Sequence, residues 1–598
     1  MDAFRKRPFL ILSVLLAVLP GCAPTASPAG GGTPLQPTNT AKPTAALTAT
    51  PQPTAGPVWA TRLIDVGAGD HDGRLYGEDP ANLYYGIPDA LGVTVAAGGD
   101  FNGDGFMDAL VGAYGADGPQ NLREHAGEVY VIFGSSDLNS PWDVVGVAGG
   151  KPDIRIYGEE TGVGSSMFAP GDSLGEVLTV GDVDGDGYDD LLLTSPVADG
   201  PQNARINTGE VYIYFGRSPE DWEKLRVADG EPIVLDVAGA AGPGPSVTIY
   251  GQDEEDVLGC SLSAGDADGD GKDDLLAGAC YADGPLNDRP SAGAAYLFLG
   301  RSREDWEKDH IIDLAVFPQK ADVTFDGADP DDRLGSASAG GGDVDADGVE
   351  DLLIGAPKAD GPGNGAPDAG EVFLFFGRSA DDWHSLNPVD LAMNPADAVL
   401  NGADAGDNLG GFLGLWMADV DGDGTADLII GSPYGGGAGN GKTAAGEVYL
   451  MLGRRQWNAA TDFGSASADV VLYGADQGDS FGYSVGAGDV NGDGIRDILI
   501  GAFGADGPGN KRSDASGEAY AVFGRAFSAG MVIDANVPDA LQVLVYGEET
   551  GDNLGYMVSG GDVNGDGVDD MLIGAMSADG PNNGRPDAGE AYIVYGQK

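Results

Sequence analysis

One nine-residue pattern, Asp-x-Asp/Asn-x-Asp-Gly-x-x-Asp, recurs seven times in this 598-residue chain, with 82, 84, 77, 76, 70 and 73 residues between successive first aspartates. A repeat of this length is one supersecondary unit that cannot bury its apolar face alone, so like units must pack against one another. The surroundings of the pattern repeat as well, as in Val470 to Gly474, Phe481 to Val485, Asp497 to Ala502 and Gly517 to Gly524. These are four short runs, rich in β-branched and aromatic residues and bounded by glycine. Four strands per unit without a long helical period predict an all-β, seven-bladed β-propeller of four-stranded blades.

The two ends of the chain sharpen that expectation, because a propeller leaves no open sheet edge. The last unit stops at Gly589 to Gly596, the third strand of the pattern, whereas Arg74 to Gly77 matches the outer strand yet precedes the first unit. An N-terminal strand should therefore complete the seventh blade and close the ring. Trp142, Trp222, Trp306, Trp383 and Trp457 each follow a third strand, with Trp59 in the matching place for the seventh blade. Their regular placement predicts packing between blades rather than an exposed sugar-stacking row.

Positions 1, 3, 5 and 9 of the pattern supply side-chain oxygens and position 7 a backbone carbonyl, a hard-oxygen set that suits calcium in a flexible loop. The candidate ligands of the first four loops are Asp100, Asn102, Asp104, Phe106 and Asp108; Asp182, Asp184, Asp186, Tyr188 and Asp190; Asp266, Asp268, Asp270, Lys272 and Asp274; and Asp343, Asp345, Asp347, Val349 and Asp351. Those of the last three are Asp419, Asp421, Asp423, Thr425 and Asp427; Asp489, Asn491, Asp493, Ile495 and Asp497; and Asp562, Asn564, Asp566, Val568 and Asp570. Asp-Gly hairpin turns chosen for shape alone would not need four donors in every copy. The loops are not EF-hands, since Val111 and Leu193 stand where the twelfth-position glutamate would be. About seven calcium ions per chain are expected.

Composition agrees with an acidic protein that neutralises itself with cations: 95 Asp and Glu against 31 Lys and Arg give a formal net charge of -64. Nucleic acid and anionic membrane surfaces are poor partners for such a surface. Hydrophobic residues make up 42%, enough for a packed core rather than a disordered polyanion. Residues 1–21 read as an export signal: Arg5, Lys6 and Arg7, an apolar run from Pro8 to Leu19, then Leu19, Pro20, Gly21 and Cys22. That ending looks like a lipobox with Cys22 as the lipidation site, although Pro20 is unusual there. Residues 22–57, rich in Pro, Thr and Ala, read as a disordered stalk on the order of 100 Å long at ~3.1 Å per residue, and residues 58–598 as the propeller.

Cys260 and Cys280 lie ten residues either side of Asp270, so a symmetric hairpin would bring them face to face. Export favours a disulfide over two buried thiols. Two other motifs are coincidental. Gly171 to Leu174 has a lipase-like Gly-Asp-Ser-Leu sequence, but the matching segments Gly406 to Leu409 and Gly551 to Leu554 carry Asn in place of the serine. Gly436 to Thr443 fits a phosphate-loop formula, yet it lies between two strands with no helix to receive phosphates. The four histidines, His71, His125, His310 and His384, have no repeat equivalents, and no catalytic constellation is expected.

The repeats resemble FG-GAP repeats, with Phe481-Gly482 and Gly355-Ala356-Pro357 as the literal motifs around the loops. The resemblance covers about residues 58 to 598 and implies the propeller found in the head of integrin α subunits and in bacterial surface proteins. It differs in having a metal loop in every unit. The resulting expectation is a calcium-binding extracellular lipoprotein, held to the membrane only by its N-terminal lipid, that adheres to a glycan or protein. A calcium-dependent polysaccharide-degrading enzyme of lyase type and a structural subunit of an envelope complex are the alternatives. By the same resemblance, the connections Gly115 to Ala126 and Gly504 to Ser516 are candidates for setting specificity.

Overall fold

The computed structural model describes residues 61–78, 88–138, 140–159, 171–316, 321–465, 468–512 and 515–598. Residues 1–57, expected to hold the export signal, Cys22 and the stalk, and Trp59 lie outside the described residues. Among those described, no helix is long and apolar enough to cross a membrane.

Ala60–Lys598 forms one compact unit of seven sheets, one per nonapeptide. In the second blade, Leu178–Gly181, Asp190–Ser195, Glu210–Tyr214 and Val247–Tyr250 make the expected antiparallel meander, with Gly181 opposite Asp190 and Glu210 opposite both Ser195 and Tyr250. The second strand is buried along its length in every blade, because the neighbouring blades cover both of its faces. Leu192, Val211 and Ile249 of the second blade thus share a core with Leu262, Leu275 and Ala277 of the third. Burial of each such aliphatic side chain contributes about 1.5–3 kcal/mol.

Each sheet has five strands rather than the four expected. The fifth is parallel, lies at the outer edge, and comes from the connection between the third and fourth strands of the next blade. Ile233–Asp236, for example, leaves the second blade to pair with Ile154–Tyr157 of the first, Val234 opposite Arg155. The extra strand covers the hydrogen-bonding edge that an outer strand would otherwise expose.

The N-terminal segment does both jobs in succession. Arg62–Asp65 pairs in parallel with Val543–Tyr546 of the sixth blade, and Gly73–Tyr76 pairs antiparallel with Glu590–Val594 as the fourth strand of the seventh. The ring is therefore closed by two strands, one in each of two blades.

Blades approach closely where their glycines meet. A Cβ on Gly431 would stand 2.0 Å from the carbonyl oxygen of Gly482 in the next blade, and one on Gly355 would stand 2.2 Å from that of Gly410. Any side chain there would force the blades apart, which accounts physically for the glycines of the repeated motifs.

Candidate metal centre

Each nonapeptide is the hairpin between a first and a second strand, so all seven loops lie at the same end of their blades. The second-to-third connections, including Gly115 to Ala126, fall at the opposite end because the strands alternate in direction.

Inside a loop the side chains are oriented by backbone donors before any ion is considered. In the first loop, Asp100 accepts from the N–H groups of Asp104 (3.0 Å) and Gly105 (2.9 Å), Asn102 from that of Asp104 (2.8 Å), and Asp104 from that of Phe106 (3.0 Å). The same pattern recurs in the seventh loop, where Asp562 accepts from Asp566 (3.0 Å) and Gly567 (2.8 Å), and Asn564 from Asp566 (3.0 Å). The ninth-position carboxylate is held from two directions. Asp190 accepts from the N–H of Val183 (3.1 Å) and from that of Gly216 beyond the third strand (2.8 Å).

Carboxylate oxygens of Asp182, Asp184 and Asp190 lie within 4.8 Å of one another, as do those of Asp266, Asp268 and Asp274, of Asp343, Asp345 and Asp347, and of Asp419, Asp421 and Asp427. Oxygens about 2.3–2.6 Å from one calcium ion are separated by up to about 5 Å, so these four sets fit a single ion. In the first, sixth and seventh loops Asn replaces the third-position acid. There Asn491 and Asn564 turn their amide N–H groups toward Asp497 (2.9 Å) and Asp570 (3.1 Å), relieving part of the charge repulsion.

Electrostatics favour a cation in every loop. Burial, reinforced by the neighbouring carboxylates, pushes Asp108, Asp190, Asp274 and Asp497 up to about 8 and Asp351, Asp427 and Asp570 up to about 7. An acid this reluctant to ionise must either take a proton or gain a positive neighbour.

Two loops already have an internal one. Arg303 from the third blade reaches Asp184 (2.6 Å) and Asp186 (2.7 Å) of the second loop, and Lys272 reaches Asp270 (2.5 Å) in the third. These cations compete with a divalent ion for the same oxygens.

Adjacent loops are also tied together at four of the seven junctions, a feature absent from the sequence expectations. The eighth-position acid of one loop accepts from the first-position N–H of the preceding loop: Asp189 from Asp100 (2.7 Å), Asp273 from Asp182 (2.9 Å), Glu350 from Asp266 (2.8 Å) and Asp569 from Asp489 (2.8 Å). The acid recurring at this even position is the sequence signal for these contacts, and ligand spacing, confined to odd positions, does not reveal it.

The tryptophans perform the same task one layer out. Short helices Pro219–Glu223, Arg303–Lys308 and Ala380–Leu386, capped by Ser218, Ser302 and Ser379, carry fully buried Trp222, Trp306 and Trp383. Their indole N–H groups donate to the second-position carbonyls of Phe101 (3.0 Å), Val183 (3.0 Å) and Ala267 (2.9 Å) in the preceding blade's loop. Trp457 does likewise to Val344 (3.2 Å), while Trp142 lies in the fifth strand of the seventh blade. Cys260 and Cys280 are joined in a disulfide with Cα atoms 6.0 Å apart. The matching pair in the sixth blade, Tyr483 and Phe503, packs edge to face with ring centres 4.6 Å apart.

A family profile described as FG-GAP repeat matches residues 91–132, 174–214, 259–298, 334–375, 417–451, 481–521 and 554–594. Phosphatidylinositol-glycan-specific phospholipase D of Bos taurus is 30% identical over 212 residues, 36% of this chain and 21% of that protein. Integrin alpha-PS2 of Drosophila melanogaster is 29% identical over 214 residues, 35% of this chain and 12% of that protein. The aligned part thus spans about a quarter or less of the length of these curated relatives. Among solved structures, an exotype rhamnogalacturonan lyase aligns over 88% of this chain and 76% of its own at 12% identity, with a TM-score of 0.35.

Proposed function

Because this chain is a seven-repeat FG-GAP protein with a propeller fold, we propose that it is a calcium-loaded adhesion module of the cell surface. One ion sits in each nonapeptide loop, seven in all. The observation that carries this reading is the ring of acidic loops gathered at one end of the blades, prearranged by backbone donors and short of positive charge. Calcium held there neutralises the carboxylates and stiffens the ring, leaving the connections at the opposite end free to meet a glycan or protein.

At millimolar calcium and sites of ~0.1 to 1 mM, each ion adds about 0.4 to 1.4 kcal/mol to the folded state. The chain is exported, lipidated at Cys22 and displayed on the residue 22–57 stalk in this reading.

The test is retention of the protein by a panel of polysaccharides and envelope proteins, with calcium and with chelator, alongside native mass spectrometry. Seven ions and calcium-dependent retention support the proposal. One ion or none rejects the metal assignment, and seven ions without any retention rejects the adhesive role.

A further inference from the structure

Six of the seven blades contain an internal cationic clasp built from one repeat position. In the first blade, Arg123, on the second-to-third connection, donates to the Gly158 carbonyl after the outer strand (2.6 Å) and to both oxygens of Asp236 at the end of the fifth strand (2.7 and 2.9 Å). Arg289 does the same to Gly327 (2.5 Å) and Asp390 (2.7 and 2.6 Å), and Arg585 to Gly77 (2.5 Å) and Asp143 (2.9 Å twice). Arg512 pairs with Gly547 and Asp65, and Arg205 with the Gln252 carbonyl and Asp313. In the fifth blade Lys442 takes the position and reaches the Ala475 carbonyl.

The fourth blade departs from this pattern. Its residue at the clasp position is Ala366, whose N–H donates to Asp360 O (2.7 Å) just as that of Arg123 does to Asp117 O (2.8 Å), so the backbone is unchanged and only the cation is missing. The carboxylate acceptor remains. Asp462 ends the fifth strand and keeps its turn hydrogen bond from Gly464 (2.9 Å), but no cation pairs with it among the described residues. A second carboxylate is also left over. Glu128, Glu210, Glu447, Glu518 and Glu590 each accept from a tyrosine hydroxyl two residues on, whereas Glu371 is followed by Phe373 and has no such donor. Around these groups is a cavity of about 570 Å³, lined by Glu371, Phe373, Asn401, Thr461, Asp462 and Pro362.

We infer that this cavity is a receptor for a guanidinium group, the arginine side chain of a partner polypeptide, which takes the place filled internally in the other blades. Arginine is favoured over lysine because five of the six internal occupants are arginines, and the two carboxylates lining the cavity suit a planar fork of donors. Phe373 lines the cavity, and a guanidinium packs well against an aromatic ring. The site is remote from the metal loops, and the inference is independent of the adhesive reading.

The test uses the full chain at fixed calcium, titrated calorimetrically with ethylguanidinium and with an acetyl-Gly-Arg-Gly amide peptide, its citrulline counterpart serving as control. Wild-type protein should bind both guanidinium probes at one site and not the citrulline peptide. Asp462→Asn should weaken binding at least about tenfold, the loss expected of a charged bidentate partner. Ala366→Arg should abolish binding and raise the melting temperature by restoring the clasp. No binding to wild type, equal binding to Ala366→Arg, or a lower melting temperature in that variant would overturn the inference. Binding of ethylguanidinium without the arginine peptide would overturn the assignment to a polypeptide and leave a small cation as the occupant.

Discussion

At the residue scale, the loop carboxylates are oriented by backbone donors within their own loop. Asp423 shows this economically: its backbone N–H donates to Asp419 (3.2 Å) and Asp421 (3.1 Å), and its own carboxylate accepts from Thr425 (2.9 Å). Asp423→Ala should leave the ring folded in millimolar calcium, lower the ion count in native mass spectrometry by one, and cost about 0.4 to 1.4 kcal/mol in a denaturant titration. Glu210 allows a pH test away from the loops. Burial pushes it up to about 8, against an ordinary glutamate value near 4.5, even though Tyr212 donates to it at 2.7 Å. A folded-state value raised this way gives a stability contribution that is complete below about pH 4.5 and lost as pH rises through about 8, each unit being worth about 1.4 kcal/mol at most. Melting temperature at saturating calcium should therefore fall less between pH 5 and pH 9 in Glu210→Gln than in wild type.

At the scale of elements, the segment between a third and a fourth strand does more than connect them. It carries the fifth strand of the preceding blade, and in the second to fourth blades it also carries a short helix whose tryptophan reaches the preceding loop. Trp306→Ala removes a fully buried side chain and the donor to Val183, at an expected cost of about 3–5 kcal/mol. Trp306→Phe should recover most of the packing while leaving the Val183 carbonyl short of its partner. Calcium titration of the second loop, read from an Arg303→Ala background to remove the competing guanidinium, should be weaker in both tryptophan variants. Unchanged affinity would mean that blade packing and ion binding are uncoupled. The repeat spacing made the tryptophans legible as packing residues, but their partners lie 113 to 123 residues away in the chain. No local pattern encodes which carbonyl they meet.

At the scale of the whole molecule, the closure made by residues 61–78 ties two blades at once. Deleting them should leave an open outer edge on the third strand of the seventh blade and strip the fifth strand from the sixth. The expected result is loss of the cooperative melting transition and concentration-dependent association, even at saturating calcium, measured by calorimetry and light scattering. A cooperative monomeric transition in that deletion would show that the other six blades hold the ring alone. Removing calcium from the intact chain is a milder change. Summed over seven independent loops it amounts to about 3 to 10 kcal/mol, visible as a lower melting temperature in chelator.

The number of blades, the position of every acidic loop and the use of an N-terminal strand for closure were all legible in the sequence, because each depends on short-range chemistry: carboxylate spacing, a turn glycine, alternation along a strand, and the requirement that a ring have no unpaired edge. The candidate ligands needed only a nine-residue window. What tertiary structure alone decided is relational. The fifth strand, the eighth-position acids that stitch loop to loop, Arg303 over the second loop, and the cavity lined by Glu371 and Asp462 all involve groups brought together from different repeats. Their energies arise from desolvated contact across blade boundaries, and a chain read in order does not say which residue of one repeat will face which residue of the next.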